Sequence, residues 1–335
     1  MLRIAVLGCG RIGRMHAENI HAHPRAELAG VFDVVDAAAS DVASKLGVTM
    51  FTSADEVFAS NLVDAVLIAT STPTHADFIE AAVAAGKACL CEKPIDLSID
   101  RVKACAARIA GTQVPIMLGF VRRFDKGHAG VRRAIEAGKI GDVHQVAITS
   151  RDPEIAPDAY IEVSGGIFRD MTIHDFDMAR FIMGEEFQTV SAVGSRLVSP
   201  SLMERCDDYD TVTVTLTTPS GKQCVISNSR RAVYGYDQRV EAFGTEGMAI
   251  SENHPETNTR LYGASLTDSK APLLNFFIER YAQAFASEID AFVDAVENTE
   301  PPAVGFDDGQ KALLLAEAAV LSVREGRPVN LNEME

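Results

Sequence analysis

The chain has 335 residues, 47% of them hydrophobic, with 31 Lys and Arg against 47 Asp and Glu and a formal net charge of -16. It exceeds the roughly 250 to 300 residues over which one hydrophobic core keeps growing, so two domains are expected. A phosphate-backbone partner is excluded, because nucleic-acid binding needs a basic footprint that releases counterions.

Met1 is followed at once by an apolar run with no basic leader, and no apolar stretch approaches the roughly 18 residues of a membrane span. Neither export nor membrane insertion is expected, and a cytoplasmic location follows. Cys9, Cys89, Cys91, Cys105, Cys206 and Cys224 show neither a disulfide framework nor the C-x-x-C pairs of a zinc site. Reduced thiols and no metal are the expectation.

From residue 2 to about 120, short apolar runs alternate with segments of helical period. The runs are Leu2 to Leu7, Leu28 to Phe32, Val63 to Ala69, Ala88 to Cys91 and Pro115 to Phe120. This alternation predicts βαβ units around a parallel sheet. One helix is predicted to start near Pro73, since proline suits a first turn. After about residue 143 the rhythm becomes β-rich, with strands expected over 143–149, 189–197, 209–218, 222–229, 237–243 and 247–251. Pro219-Ser220-Gly221 and Gly244-Thr245-Glu246-Gly247 read as hairpin turns of a mostly antiparallel sheet. Two helical patterns, roughly 275–297 and 307–324, close the chain.

Gly8-Cys9-Gly10-Arg11-Ile12-Gly13 stands directly after the first strand and before a helical pattern. In that context the first glycine permits a tight turn, the second lets the backbone approach a pyrophosphate, and the third lets helix and strand pack closely. Asp33 follows Gly13 by twenty residues. A carboxylate there accepts hydrogen bonds from ribose hydroxyls and repels a 2′-phosphate, so NAD is favoured over NADP, with the basic Arg11 nearby. Asp33 as a helix cap is the alternative, although Asp36 is better placed to cap. The fold class is α/β, a Rossmann parallel sheet over 1–122 followed by an α+β domain over 123–335 with a large, mostly antiparallel sheet. The C-terminal helices are candidates to pack back on the first domain.

Thr70-Ser71-Thr72-Pro73-Thr74-His75 and Glu92-Lys93-Pro94 fall at carboxyl ends of predicted parallel strands, where ligands of open sheets bind. Thr70, Ser71, His75, Glu92 and Lys93 are therefore cofactor-side candidates, along with Gly8, Gly10, Arg11, Ile12, Gly13 and Asp33. In the second half, a helix beginning near Asp170 would put Asp170, His174 and Asp177 on one face. Carboxylates bracketing a histidine suit a general base, because they fix its tautomer and stabilise its protonated form. A capping aspartate with a surface histidine is the competing reading.

Together with Gly119-Phe120-Val121-Arg122-Arg123-Phe124 and Tyr234-Gly235-Tyr236-Asp237, these motifs make the chain similar to the glucose-fructose oxidoreductase and inositol dehydrogenase family over essentially its whole length. The resemblance implies an NAD-dependent enzyme with Lys93, Asp170 and His174 as its catalytic group. The Arg-Arg-Phe segment, the His174-x-x-Asp177 spacing and the Tyr-Gly-Tyr-Asp run look like the myo-inositol 2-dehydrogenase branch. Arg122, Asp152, Tyr160, Asp177 and Tyr236 are then the candidate polyol-binding residues. Arg151-Asp152 departs from that branch's pattern. The family also implies a homo-oligomer, dimer or tetramer, formed through the open sheet face. Other sugar or cyclitol dehydrogenases use the same machinery, and a non-catalytic NAD-binding redox sensor is the alternative of a different class.

Overall fold

A computed structural model describes residues 1–334. They fall into two compact units, Met1–Val121 with Gln283–Leu313, and Arg122–Ala282 with the chain from Leu314 onward. The first division, at Val121/Arg122, falls well before the change of rhythm near residue 143, and the Gln283–Leu313 segment groups with the first unit.

The first unit is built on a parallel sheet ordered β3-β2-β1-β4-β5-β6. The strands are β1 Leu2–Leu7, β2 Ala26–Phe32, β3 Thr49–Met50, β4 Ala65–Ile68, β5 Ala88–Cys91 and β6 Ile116–Leu118. Helices cover both faces of such a sheet, which is why β1 and β4 are almost continuously apolar and fully buried. The strand order reverses between β1 and β4, the switch point at which open sheets hold their ligands. β3 has two residues, too few to carry a period, and was not expected from the sequence. Helix Ala282–Asn298 places Phe285, Ile289, Phe292 and Val293 on one buried stripe, and Phe285 meets the His16 ring edge-on at 5.5 Å.

The expected single helix over 275–297 is broken at Tyr281, with Phe277–Arg280 ending before Ala282–Asn298 begins. Arg280 is held by a buried ion pair to Asp125, Nη1 to Oδ2 at 2.5 Å, and the Tyr281 ring lies edge-on to Tyr236. These anchors fix Tyr281 outside helical geometry, φ -109° and ψ 13°.

The second unit holds a seven-stranded sheet ordered β12-β11-β7-β10-β9-β8-β15. Its strands are β7 Val143–Arg151, β8 Thr189–Ser195, β9 Thr211–Thr217, β10 Gln223–Ser229, β11 Asp237–Gly244, β12 Met248–Ser251 and β15 Val329–Asn330. β7 and β10 run parallel and every other pair is antiparallel. Both expected hairpin turns are present, closed by Thr218 N–H to Lys222 O at 3.0 Å and Gly244 N–H to Gly247 O at 2.8 Å. A further exposed hairpin, β13 Arg260–Gly263 with β14 Leu266–Lys270, was not expected from the sequence.

Register decides which face each residue takes. Ile226 pairs with Ile148 and Val214, and Val214 with Ala192. All four point inward, where helices Lys126–Glu136 and Thr172–Met183 pack. Val212, Val214 and Leu216 on β9 are therefore core residues. The open face instead carries Thr213 and Thr215 with the exposed Val193, Val225 and Phe243. No helix among the described residues is long and apolar enough to cross a membrane.

Candidate active site

In the first unit the turn after β1 is forced to be glycine twice. Gly8 has φ +96°, and a Cβ there would stand 2.4 Å from the Ala69 carbonyl oxygen at the end of β4. A Cβ on Gly13 would stand 1.9 Å from the Gly8 oxygen. Gly10 differs: a Cβ would meet nothing within 4 Å. Gly10 is also the N-cap of helix Arg11–Ala22 and leaves that helix without a side-chain cap. Open space in front of uncapped N–H groups is what a pyrophosphate needs, so the residues fit a dinucleotide. Ile12 is half-buried and Arg11 is exposed beside this turn.

Asp33, one residue past β2, is fastened to that turn. Its Oδ2 accepts the Cys9 N–H at 2.6 Å and its Oδ1 accepts the Val35 N–H at 2.8 Å. The carboxylate is thereby set in place by the phosphate loop itself. Asp36 does not cap the following helix; the N-cap is Val35, with no side-chain cap bond.

Two candidates in this unit turn away from the expected role. His75 is buried, with Nδ1 2.8 Å from the Pro94 carbonyl oxygen and Nε2 3.0 Å from that of Thr70. A neutral imidazole donates its one N–H to one of these two carbonyls, and the ring lies between the segments that follow β4 and β5. The Glu92 carboxylate meets His16 Nε2 at 2.9 Å. Lys93 itself is half-buried two residues past β5, and Thr70 and Ser71 lie just past β4. Thr70 and Thr74 share a hydroxyl hydrogen bond of 2.7 Å.

In the second unit the expected continuous helix through Asp170 and His174 is divided. Ile167–Asp170 forms one turn, Met171 departs to φ -100°, and Thr172–Met183 begins anew. Asp170 therefore lies on one helical segment, and His174 and Asp177 on the next. Asp170 takes the Tyr160 hydroxyl on Oδ1 at 2.6 Å and Arg230 Nη1 on Oδ2 at 3.0 Å. Arg230, 2% exposed, also reaches Asp208 Oδ2 at 3.3 Å, and Asp208 Oδ1 accepts the Ile167 N–H. The start of the Asp170 turn is thus tied to the guanidinium that holds Asp170. Asp177 is buried in a two-pronged pair with Arg123, at 2.8 and 2.5 Å. Arg122 pairs with the fully buried Asp175 at 2.6 Å, and Asn228 donates to the other Asp175 oxygen at 2.8 Å. Expected as substrate ligands, Arg122 and Asp177 are each committed to an internal ion pair.

His174 is half-buried at the start of its helix, beside this charged cluster in sequence and in the same unit. Asp152 faces Asp170, Arg230 and Arg122; burial, then the Asp170 charge, pushes its carboxyl up to about 6, against the pull of the two arginines. Tyr236 is buried, its ring edge-on to Tyr281 at 6.1 Å, and burial holds its hydroxyl far above its ordinary value. Arg230, Asp208, Asp175 and Asn228 escaped the sequence reading. A lone arginine after a strand or an aspartate before one carries no local signal, because only the strand register brings them together.

The fold and the glycine turn define an NAD-binding oxidoreductase. Residues 2–120 match the model of the oxidoreductase family with an NAD-binding Rossmann fold, and residues 128–250 that of the GFO/IDH/MocA C-terminal domain. The inositol 2-dehydrogenase of Rhizobium meliloti (strain 1021) is 47% identical over 98% of this chain and 99% of its own. A crystal structure of a myo-inositol dehydrogenase from Corynebacterium glutamicum ATCC 13032 superposes with a TM-score of 0.95 at 44% identity, covering 99% of both chains. The scyllo-inositol dehydrogenase of Lactobacillus casei, with NAD(H) and scyllo-inositol bound, gives 0.92 at 29% identity over 99% of each. The chain belongs to the GFO/IDH/MocA family and is an NAD-dependent oxidoreductase.

Replacing Asp33 by Ser removes the charge that opposes a 2′-phosphate. NAD affinity should fall and the preference over NADP should relax, and an unchanged ratio of the two Kd values would remove Asp33 from cofactor selection. Asp152→Asn tests the half-buried carboxyl. With a folded value of about 6 against about 3.9 unfolded, the native state keeps a proton that the unfolded chain releases, so the parent loses stability as pH rises from about 4 to about 6. Melting curves of the Asn variant should lack that part of the slope, a gain of about 2–3 kcal/mol by pH 7. Parallel pH profiles of Tm for variant and parent would contradict it.

Proposed function

We propose that the chain oxidises a secondary hydroxyl of a cyclic polyol, myo-inositol, to the ketone, 2-keto-myo-inositol, with Lys93, Asp170 and His174 as the catalytic group. The observation that carries the reading is the Asp170 cluster: a carboxylate fixed by Arg230 and Tyr160, four residues before a half-buried histidine, with Asp152 facing it. Such a set of acceptors and donors suits an array of ring hydroxyls. The names of the relatives, inositol dehydrogenases of both myo and scyllo type, support the same substrate class.

Bound NAD supplies the hydride acceptor. His174 takes the hydroxyl proton as the C–H hydride leaves the same carbon, so the alcohol loses two electrons and becomes a carbonyl. Lys93 donates to that oxygen and stabilises the charge that develops on it as the proton departs. Asp170 is held still by its partners and keeps the imidazole competent as a base. Asp152 and Tyr160 engage neighbouring hydroxyls, while Arg122 and Asp177, through Asp175 and Arg123, hold their surroundings in place. The exposed apolar residues of the open sheet face form a contact between copies of the chain, and light scattering should give a multiple of 36.0 kDa. A mass of one chain at micromolar concentration would remove that contact.

The test is NADH formation with myo-inositol, scyllo-inositol and a panel of sugars. Turnover highest with myo-inositol is expected, preference for scyllo-inositol would reassign the stereochemistry, and no turnover with any would favour a sensor. His174→Ala should lower kcat by about two to four orders of magnitude, the usual contribution of a positioned base. Its NAD affinity should stay near the parent's, because the phosphate turn lies in the other unit. In the parent, oxidation should quicken as pH rises and the imidazole becomes neutral. A fully active alanine variant would show that another group does the chemistry.

A further inference from the structure

Glu288, on helix Ala282–Asn298, is 0% exposed, and neither of its carboxylate oxygens has a hydrogen-bond partner among the described residues. One of them lies within 4.8 Å of both a His16 ring nitrogen and a Glu92 oxygen. Glu92 is the charged neighbour that acts on it, and His16 and Glu92 are the titratable groups that face it. Glu92 sits tightly: a Cβ on Gly119 would stand 3.0 Å from its Oε2, while its Oε1 meets His16 Nε2 at 2.9 Å. His16 is packed edge-on against Phe285, one turn before Glu288 on the same helix. The residue after Glu92 is Lys93.

An ionised carboxylate without a donor, buried beside a second carboxylate, is far more costly than its neutral acid. We infer that Glu288 is held as the neutral acid and that, with His16, it is a positioning residue for Glu92 and through it for Lys93. A charged Glu288 within 4.8 Å would repel Glu92 from His16; the neutral acid fills the same space without that force. Burial first, and the Glu92 charge second, hold the Glu288 carboxyl well above the usual carboxylate range. One imidazole and two carboxylates could also ligate a divalent cation. Against that, His16 Nδ1 is buried and lacks a hydrogen-bond partner among the described residues, whereas a ligating histidine hands its second N–H to an acceptor. The inference rests on the proposed role of Lys93, but its protonation part is testable without turnover.

Glu288→Gln keeps the shape and removes the titration. Native Glu288 keeps a proton that the unfolded chain releases above about 4.3, so the parent loses stability as pH rises and the Gln variant does not. The Gln variant should therefore melt near the parent at pH about 5 and above it at pH about 8. Its kcat should stay within about threefold, whereas Glu288→Ala, which opens a cavity beside Glu92, should lower kcat about tenfold. A Gln variant that melts below the parent at pH about 8, or that loses activity while still folded, would overturn the neutral acid. So would one equivalent of divalent metal in the purified parent, by elemental analysis, that is lost in the Gln variant. If Lys93→Ala were fully active, the catalytic reading would fail instead, and the melting comparison would still decide the state of Glu288. Should the Ala variant not fold, the Gln comparison alone decides.

Discussion

The approach of Gly8 to the Ala69 carbonyl, closer than any side chain allows, is the contact from which the cofactor half of the molecule is built. It brings the end of β1 against the end of β4, at the point where the strand order turns around. Gly13 repeats the demand one helical turn later by lying on the Gly8 carbonyl. The helix that starts at Arg11 is consequently held with its first N–H groups uncapped and open. Asp33 then closes the arrangement by accepting the Cys9 N–H, so the carboxylate at the end of β2 is positioned by the glycine turn itself. Fit to one cofactor thus comes from backbone geometry, with one carboxylate added.

The second unit is organised by buried ion pairs. Arg122 with Asp175, Arg123 with Asp177, Arg280 with Asp125, and Arg230 between Asp170 and Asp208 all lie largely out of water. Pairs of this kind contribute little net stability, because desolvation offsets most of their attraction, but breaking one leaves a buried charge. Their value here is geometric. Each guanidinium has fixed donor directions, so Arg230 on one Asp170 oxygen and the Tyr160 hydroxyl on the other together set where the carboxylate points. The helix is interrupted at Met171, between the turn that ends on Asp170 and the helix that carries His174.

His75 and Glu92 show why polar residues beside a ligand site are not all ligands. Each occupies a strand end where cofactors bind, and each spends its side chain inside the protein, His75 between two carbonyls and Glu92 on His16. Loops that follow buried strands carry backbone groups outside the sheet's ladder, and those groups must find partners. His75 supplies such a partner beside the Thr70 and Pro94 carbonyls.

By itself the sequence determined the parallel sheet, the glycine turn, the acidic β2 end and the hairpins of the second sheet. These features are local: they depend on period, on backbone freedom at glycine and on spacings within one βαβ unit. The family resemblance was legible for the same reason, since its motifs are short runs. Only the tertiary structure decided which face of β9 is core, that Gln283–Leu313 belongs with the first unit, and that Asp170 answers to Arg230 sixty residues away. Those outcomes depend on strand register and on partners far along the chain. A run of alternating residues fits either face equally well until its neighbours are paired, and a buried charge reveals its partner only once both are folded.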